Sequence, residues 1–147
     1  MSQYAPKKPS AFNSFNITLA TIVLVVGYFG AWYLPHWFKV WRLDGALIGV
    51  GRDGYREFDD EKLMKKLLAE ARRLELPATT DNFAIERQPY PPEELQKFGD
   101  PFYPTKRGKT IIIAYATAID AEWPLIGGST RITFHRQRSV DLSMITW

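Results

Sequence analysis

Residues 17–37, ITLATIVLVVGYFGAWYLPHW, contain no charged side chain and close on proline, histidine and tryptophan. The uncharged run extends further, from Pro9 to Phe38, and a helix rising about 1.5 Å per residue crosses a hydrocarbon core of roughly 30 Å in about 20 residues. A soluble core helix would carry a polar stripe. Here only Thr18, Thr21, Gly27 and Gly30 interrupt the apolar surface, and threonine hydroxyls can bond back to helical carbonyls. Aromatic residues bracket the run, with Phe12 and Phe15 at its entry and Trp32, Tyr33, Trp37 and Trp41 at its exit, where amphipathic rings favour the headgroup layer. A cleaved signal peptide would present small residues before its cut site, whereas VGYFGAWYLP at 26–35 presents bulky aromatics. The expectation is an uncleaved transmembrane anchor over residues 15–38 behind a tail at 1–14.

Charge is placed unevenly around that segment. Of 19 basic and 16 acidic side chains, Lys7, Lys8, Lys39 and Arg42 fall within the first 42 residues, which hold no acid, so the remainder is nearly neutral. A nucleic-acid binder would show a basic excess on its folded part, so no nucleic-acid partner is expected, and the flanking cations suit anionic headgroups. The chain has no cysteine, which removes disulfides and thiolate metal sites. Basic residues flank both ends of the run, so the positive-inside rule does not orient it. A short tail ahead of a first anchor argues for a cytoplasmic N-terminus, a periplasmic C-terminal domain and a bacterial inner membrane location.

Residues 39–58 read as a glycine-rich connector. Gly49, Gly51 and Gly54 have the spacing G-x-G-x-x-G, but a dinucleotide loop needs a strand before it, a helix opening at the third glycine and an acidic residue about 20 positions on. None of these is present, and a flexible tether is the simpler expectation.

Residues 59–147 carry the patterns of a small α+β domain. In FDDEKLMKKLLAEARRLELP, Leu63, Met64, Leu67, Leu68, Ala71 and Leu74 form one apolar helical face. Asp59 is placed to cap the helix, Phe58 and Leu63 to staple it, Glu61 with Lys65 and Lys66 with Glu70 to pair on its surface, and Pro77 to stop it. Three stretches then alternate as strands do: Phe83 and Ile85; Ile111, Ile113, Tyr115 and Ile119; and Ile132 and Phe134. A three-stranded antiparallel sheet under one amphipathic helix buries all these rows, with Gly127 and Gly128 turning the second strand into the third. The loop at 89–108 is long for a compact domain and holds a short helix from Pro92 toward Gly99. Its aromatics, Tyr90, Phe98, Phe102 and Tyr103, are candidates for partner contact, or else pins that hold the loop to its own domain.

In order of parts, with DDEKLMKKLLAEARRLELP, then NFAIERQ, then IIIAYATAIDAEWPL and TRITFHR, the chain resembles the bacterial envelope proteins of the domain-of-unknown-function 4845 type. Tyr115, near the end of the central strand, matches a tyrosine of that pattern. The proline-rich insertion between the first two strands departs from the simple hairpin the pattern would give. The resemblance implies an anchored extracytoplasmic α+β domain and supplies no activity. A type IV pilin, which also opens with an apolar helix, needs an acid five residues after its processing glycine, and no acid precedes Asp44.

Catalysis finds little support. Acyl or phosphoryl transfer needs nucleophile, base and orienter in one pocket, and the chain offers only His36 and His135, about a hundred residues apart. His135 fits an exposed strand position, and Asp59 and Asp60 are explained by a helix start. Two function classes remain. One is a non-catalytic membrane subunit or scaffold that meets other integral membrane proteins and the lipid bilayer, with no small-molecule substrate. The other is ligation of haem or chlorophyll by His36. For packing in the membrane, Ala20, Gly27 and Ala31 fall on one small-residue stripe, though glycine is common in such helices without marking an interface.

Overall fold

The computed structural model describes residues 13–144. Its elements, in chain order, are α1 (Ser14–Asp53), α2 (Asp60–Arg73), β1 (Phe83–Gln88), α3 (Pro92–Leu95), α4 (Phe102–Arg107), β2 (Thr110–Glu122) and β3 (Ser129–Asp141), with single 3-10 turns at Thr80–Asn82 and Leu142–Met144. The strands form one antiparallel sheet in the order β1-β2-β3, so the expected α+β class holds. The chain divides into two compact units, Met1–Pro35 and His36–Trp147.

The first unit is the apolar part of α1. This helix is long and apolar enough to cross a membrane, and none of its most apolar 18-residue window is buried. Thr18 and Thr21 do bond backward, each hydroxyl donating to a carbonyl one turn earlier, Ser14 O and Ile17 O, at 2.9 Å. The hydroxyls thereby meet their polar needs within the helix.

The sequence reading closed the anchor at residue 38 and made 39–58 a flexible connector. The second expectation is corrected. α1 contains Pro35 and runs on to Asp53, and the supposed tether is part of the domain core. Val40, Leu43, Leu47 and Val50 recur at helical spacing and are all buried, joining Leu63, Leu67 and Ala71 of α2 and Ile111, Ile113 and Tyr115 of β2 in one cluster. Burying a leucine side chain contributes roughly 1.5–3 kcal/mol, so this stripe outweighs a local glycine penalty of about 1 kcal/mol.

Two of the motif glycines explain themselves by close approach. A Cβ at Gly51 would stand 2.7 Å from Val140 Cγ2, and one at Gly54 would stand 2.9 Å from Ile111 Cδ1. The helix lies too near the sheet there for any side chain. Gly49 has no such neighbour, with nothing within 4 Å of an added Cβ.

α2 begins as expected, with the Asp59 side chain accepting from Glu61 N at 3.0 Å. It ends earlier than expected, at Arg73 rather than at Pro77, with Leu74 as its cap and Glu75 at φ 57°. Its surface pairing also differs. Lys66 is drawn to Asp53 of α1 at 2.6 Å instead of to Glu70, which takes Arg73 at 2.6 Å, while Lys62 meets Glu57 at 3.4 Å. The end of α1, now known to pack beside α2, supplies the acid that sequence spacing along one helix does not reveal.

In the sheet, Phe83 faces Tyr115 and Gln88 faces Thr110 across β1 and β2, whereas β2 and β3 stay paired from Thr110–Asp141 out to Glu122–Ser129. β1 thus covers only the first half of β2. Beyond Tyr115 the hairpin continues as a two-stranded arm closed by Trp123–Gly128, with Gly127 and Gly128 at φ 81° and 84° in the turn as expected. The long loop holds two short helices rather than one, and the first ends at Leu95, not Gly99.

Candidate functional site

Phe12 lies outside the described residues. Along the first unit, Phe15 and Tyr33 are exposed and Trp32 is half-buried. Ala20, Gly27 and Ala31 share one exposed helical face, and a Cβ at Gly27 would meet nothing within 4 Å. The small-residue stripe is therefore open. Gly27 sits in a shallow apolar depression with Val23, Leu24 and Tyr28 along its walls.

In the second unit, Trp41 is exposed and stacks on Trp37 with ring centroids 6.4 Å apart and planes 15° from parallel. Trp37 itself packs against the domain core, so its indole serves the domain's packing as well as the interface role expected of it. His36, also expected to face the headgroups or a cofactor, is half-buried. Among the described residues, no group of three or more His, Cys, Asp or Glu side chains is placed to hold a metal ion. His135 is exposed on β3 opposite Ala116.

The loop aromatics separate into two kinds. Tyr90 is only 6% exposed, with the Phe98 ring set edge-on at 5.2 Å, and burial raises its hydroxyl pKa above the ordinary value. Of the two expectations for Tyr90, partner contact or a pin for the loop, its burial fits the second, and the partner role is set aside for this residue. Phe98, Phe102 and Tyr103 keep 40%, 54% and 53% of their surface exposed. Phe102 and Tyr103 meet edge-on at 5.3 Å, Tyr103 lies 6.0 Å from Phe58, and the Lys106 ammonium stands 4.7 Å over the Phe102 ring. Phe102 and Tyr103 thus form a small exposed aromatic pair at the start of α4, while Phe98 rests against Tyr90.

Two charged side chains that the sequence reading passed over organise the domain. Arg87 on β1 is mostly buried, and its guanidinium donates to Asp60 Oδ1, Gly54 O, Arg107 O and Glu57 O at 2.8–3.1 Å. One side chain thereby joins the end of α1, the start of α2 and the end of α4, a task that suits a planar fork of donors. Asp44 is buried on α1, where its Oδ2 accepts from Arg138 at 2.7 Å with Arg136 at 3.9 Å, both on β3. Its Oδ1 is buried without a hydrogen-bond partner among the described residues. A third cross-link, Lys39 to Glu75 at 2.7 Å, holds the Glu75 carboxyl below its ordinary pKa through the Lys39 hydrogen bond and charge. Only the 40-43-47-50 spacing could have flagged α1 as a packed helix; nothing local marks the partners of Asp44, which come from β3, or those of Arg87, which come from the ends of three helices.

A shallow groove between α1 and α2 is lined by Gly45, Gly49 and Ala69, with Arg42, Lys66 and Asp53 on its rim. Lys66 and Asp53 neutralise each other there. The surfaces that stand out chemically are thus apolar: the open face of the first unit and the exposed rings near α4. Comparison of the chain with protein-family models, with curated proteins and with solved structures found no match.

Proposed function

We propose that this chain is a non-catalytic, single-pass membrane subunit or scaffold, anchored by the apolar part of α1 and joined through it to other integral membrane proteins. The observation that carries the reading is that no residue of the 18-residue apolar window is buried. Phe15, Ile17, Leu19, Ile22, Val23 and Leu24 each keep half or more of their surface uncovered. A contiguous apolar area of that size needs a non-aqueous surrounding. The reading puts the N-terminus in the cytoplasm of a bacterium and the α+β domain in the periplasm, as the resemblance in order of parts favours.

Within lipid the hydrophobic effect gives helices no reason to associate, so close backbone packing across small residues must supply much of the drive. The open stripe of Ala20, Gly27 and Ala31 supports such a contact. Gly27→Leu is expected to release the protein from its native complex while insertion and domain folding persist, and Phe29→Leu to leave the complex intact. Size separation of gently solubilised membranes reads the difference. Retention of the Gly27→Leu protein in the complex would shift the contact to the exposed rings of Phe98, Phe102 and Tyr103.

A further inference from the structure

β1 ends the sheet on one side, and α2 runs beside that edge. Arg87 Nε donates to Asp60 Oδ1 at 2.8 Å, which fixes the level of the strand against the helix. Two strand residues at roughly 3.3 Å each and four helical residues at roughly 1.5 Å each cover nearly the same length, so Ile85 comes level with Met64. Those two side chains and Leu68 are half-buried against the core. Together they line an open cleft of about 520 Å³, with Glu61 and Lys65 on its rim. The cleft lies wholly within the His36–Trp147 unit.

The backbone at this edge is turned outward. Trp123 N donates to Gly128 O and Leu142 N to Lys109 O, so the odd-numbered residues along β2 point their backbone groups at β3 and the even-numbered ones point theirs at β1. Asn82 Nδ2, donating to Ala116 O at 3.0 Å, approaches from that second side. Ala84 pairs with Ala114 and Glu86 with Ile112, so β1 gives its even-numbered groups to β2. The N–H and C=O of Ile85 and Arg87 therefore face away from the sheet, as a template for a further strand.

Charge gives the edge a direction. Glu86 on β1 and Glu61 on α2 are both exposed at the end of the cleft where Arg87 meets Asp60. Asp60 is neutralised by Arg87, whereas neither Glu61 nor Glu86 makes an ion pair among the described residues. Lys65 stands one turn further on, beside Met64, so the acidic end is the one at Glu61 and Glu86.

We propose that this edge and cleft bind an extended segment of a partner protein, added antiparallel to β1, whose residues run basic, aliphatic, any, aliphatic from its N-terminal side. Antiparallel addition sets those four residues against Glu86, Ile85, Ala84 and Phe83 in turn. Residues opposite one another in a ladder share a face, so the first aliphatic side chain enters the cleft with Ile85, Met64 and Leu68, and the second follows opposite Phe83. The basic side chain meets Glu86 on the other face. Main-chain bonds to Ile85 supply the hold and the cleft supplies the selection. The contact goes beyond the membrane-subunit reading and is independent of the anchor.

The probe is a fluorescently labelled synthetic peptide, Ser-Lys-Val-Thr-Val-Ser, titrated with the full chain in detergent micelles and followed by anisotropy beside empty micelles. Saturable binding to the chain is expected, weakened about fivefold when glutamate replaces the lysine. An N-methyl group on the first valine removes the N–H that Ile85 O would accept and is expected to weaken binding about tenfold or more. Glu86→Lys, at an exposed position, should invert the preference between the lysine and glutamate peptides with the circular dichroism unchanged. Absence of binding, an equal signal from empty micelles, an N-methyl peptide that binds as tightly as its parent, or a preference unmoved by Glu86→Lys would each overturn the proposal. Oligomers of the chain that the peptide disperses, seen by light scattering, would assign the edge to a second copy and overturn it too.

Discussion

At Gly51 a single hydrogen decides whether helix and sheet can meet, because a Cβ there would stand 2.7 Å from Val140 Cγ2. Valine is stiff about its one side-chain torsion and cannot swing clear cheaply. Gly51→Ala is therefore expected to cost up to about 2 kcal/mol, the overpacking penalty of roughly 1–3 kcal/mol less the helix propensity of about 1 kcal/mol that alanine restores. Gly49, two residues earlier with open space around it, should behave oppositely, Gly49→Ala gaining up to about 1 kcal/mol. Urea unfolding of the detergent-solubilised chain measures both. Equal tolerance of the two alanines would return this segment to the status of a flexible tether. The neighbouring Asp44 shows why residue-level reading reaches only so far. An aspartate eight places after a histidine reads as a surface acid, yet its carboxylate is 9% exposed and takes its arginine from 94 residues away.

Among the elements, α2 and the three strands were legible because each carries its own periodicity. Ile111, Ile113 and Tyr115 are buried at alternate positions, as are Leu63 and Leu67 one turn apart. The second half of α1 was hidden by composition: Gly45, Gly49, Gly51 and Gly54 suggest a loop, while the apolar stripe at 40, 43, 47 and 50 lies beneath them in the same stretch. Tertiary packing overrode propensity there. The end of β3 is fixed by a more local device. Asp141 Oδ1 accepts from Ser143 N at 2.8 Å and from Ser143 Oγ at 2.6 Å, and these bonds hold the Asp141 carboxyl below its ordinary 3.8. Because the folded pKa is depressed, the contribution is present above the ordinary value and is lost as pH falls through the folded one. Asp141→Asn should therefore make the acid side of the stability profile shallower as pH falls below the ordinary carboxyl value, read as urea midpoints at each pH. An unchanged acid limb would show that the turn at Leu142–Met144 holds without the carboxylate.

For the whole molecule, the candidate surfaces were only partly legible. The apolar segment announces itself by length and absence of charge, and its exposure in the structure agrees with that pattern. Tyr90 did not reveal its burial, because whether an aromatic ring faces solvent or its own domain depends on what folds over it. The account turns on the apolar part of α1 lying in a bilayer. Alkaline carbonate extraction of membranes from cells producing the full chain tests that most directly, since it strips peripheral proteins and leaves spanning ones in place. The chain is expected to stay in the membrane pellet and to leave it only with detergent; its release into the carbonate supernatant as folded protein would contradict the account.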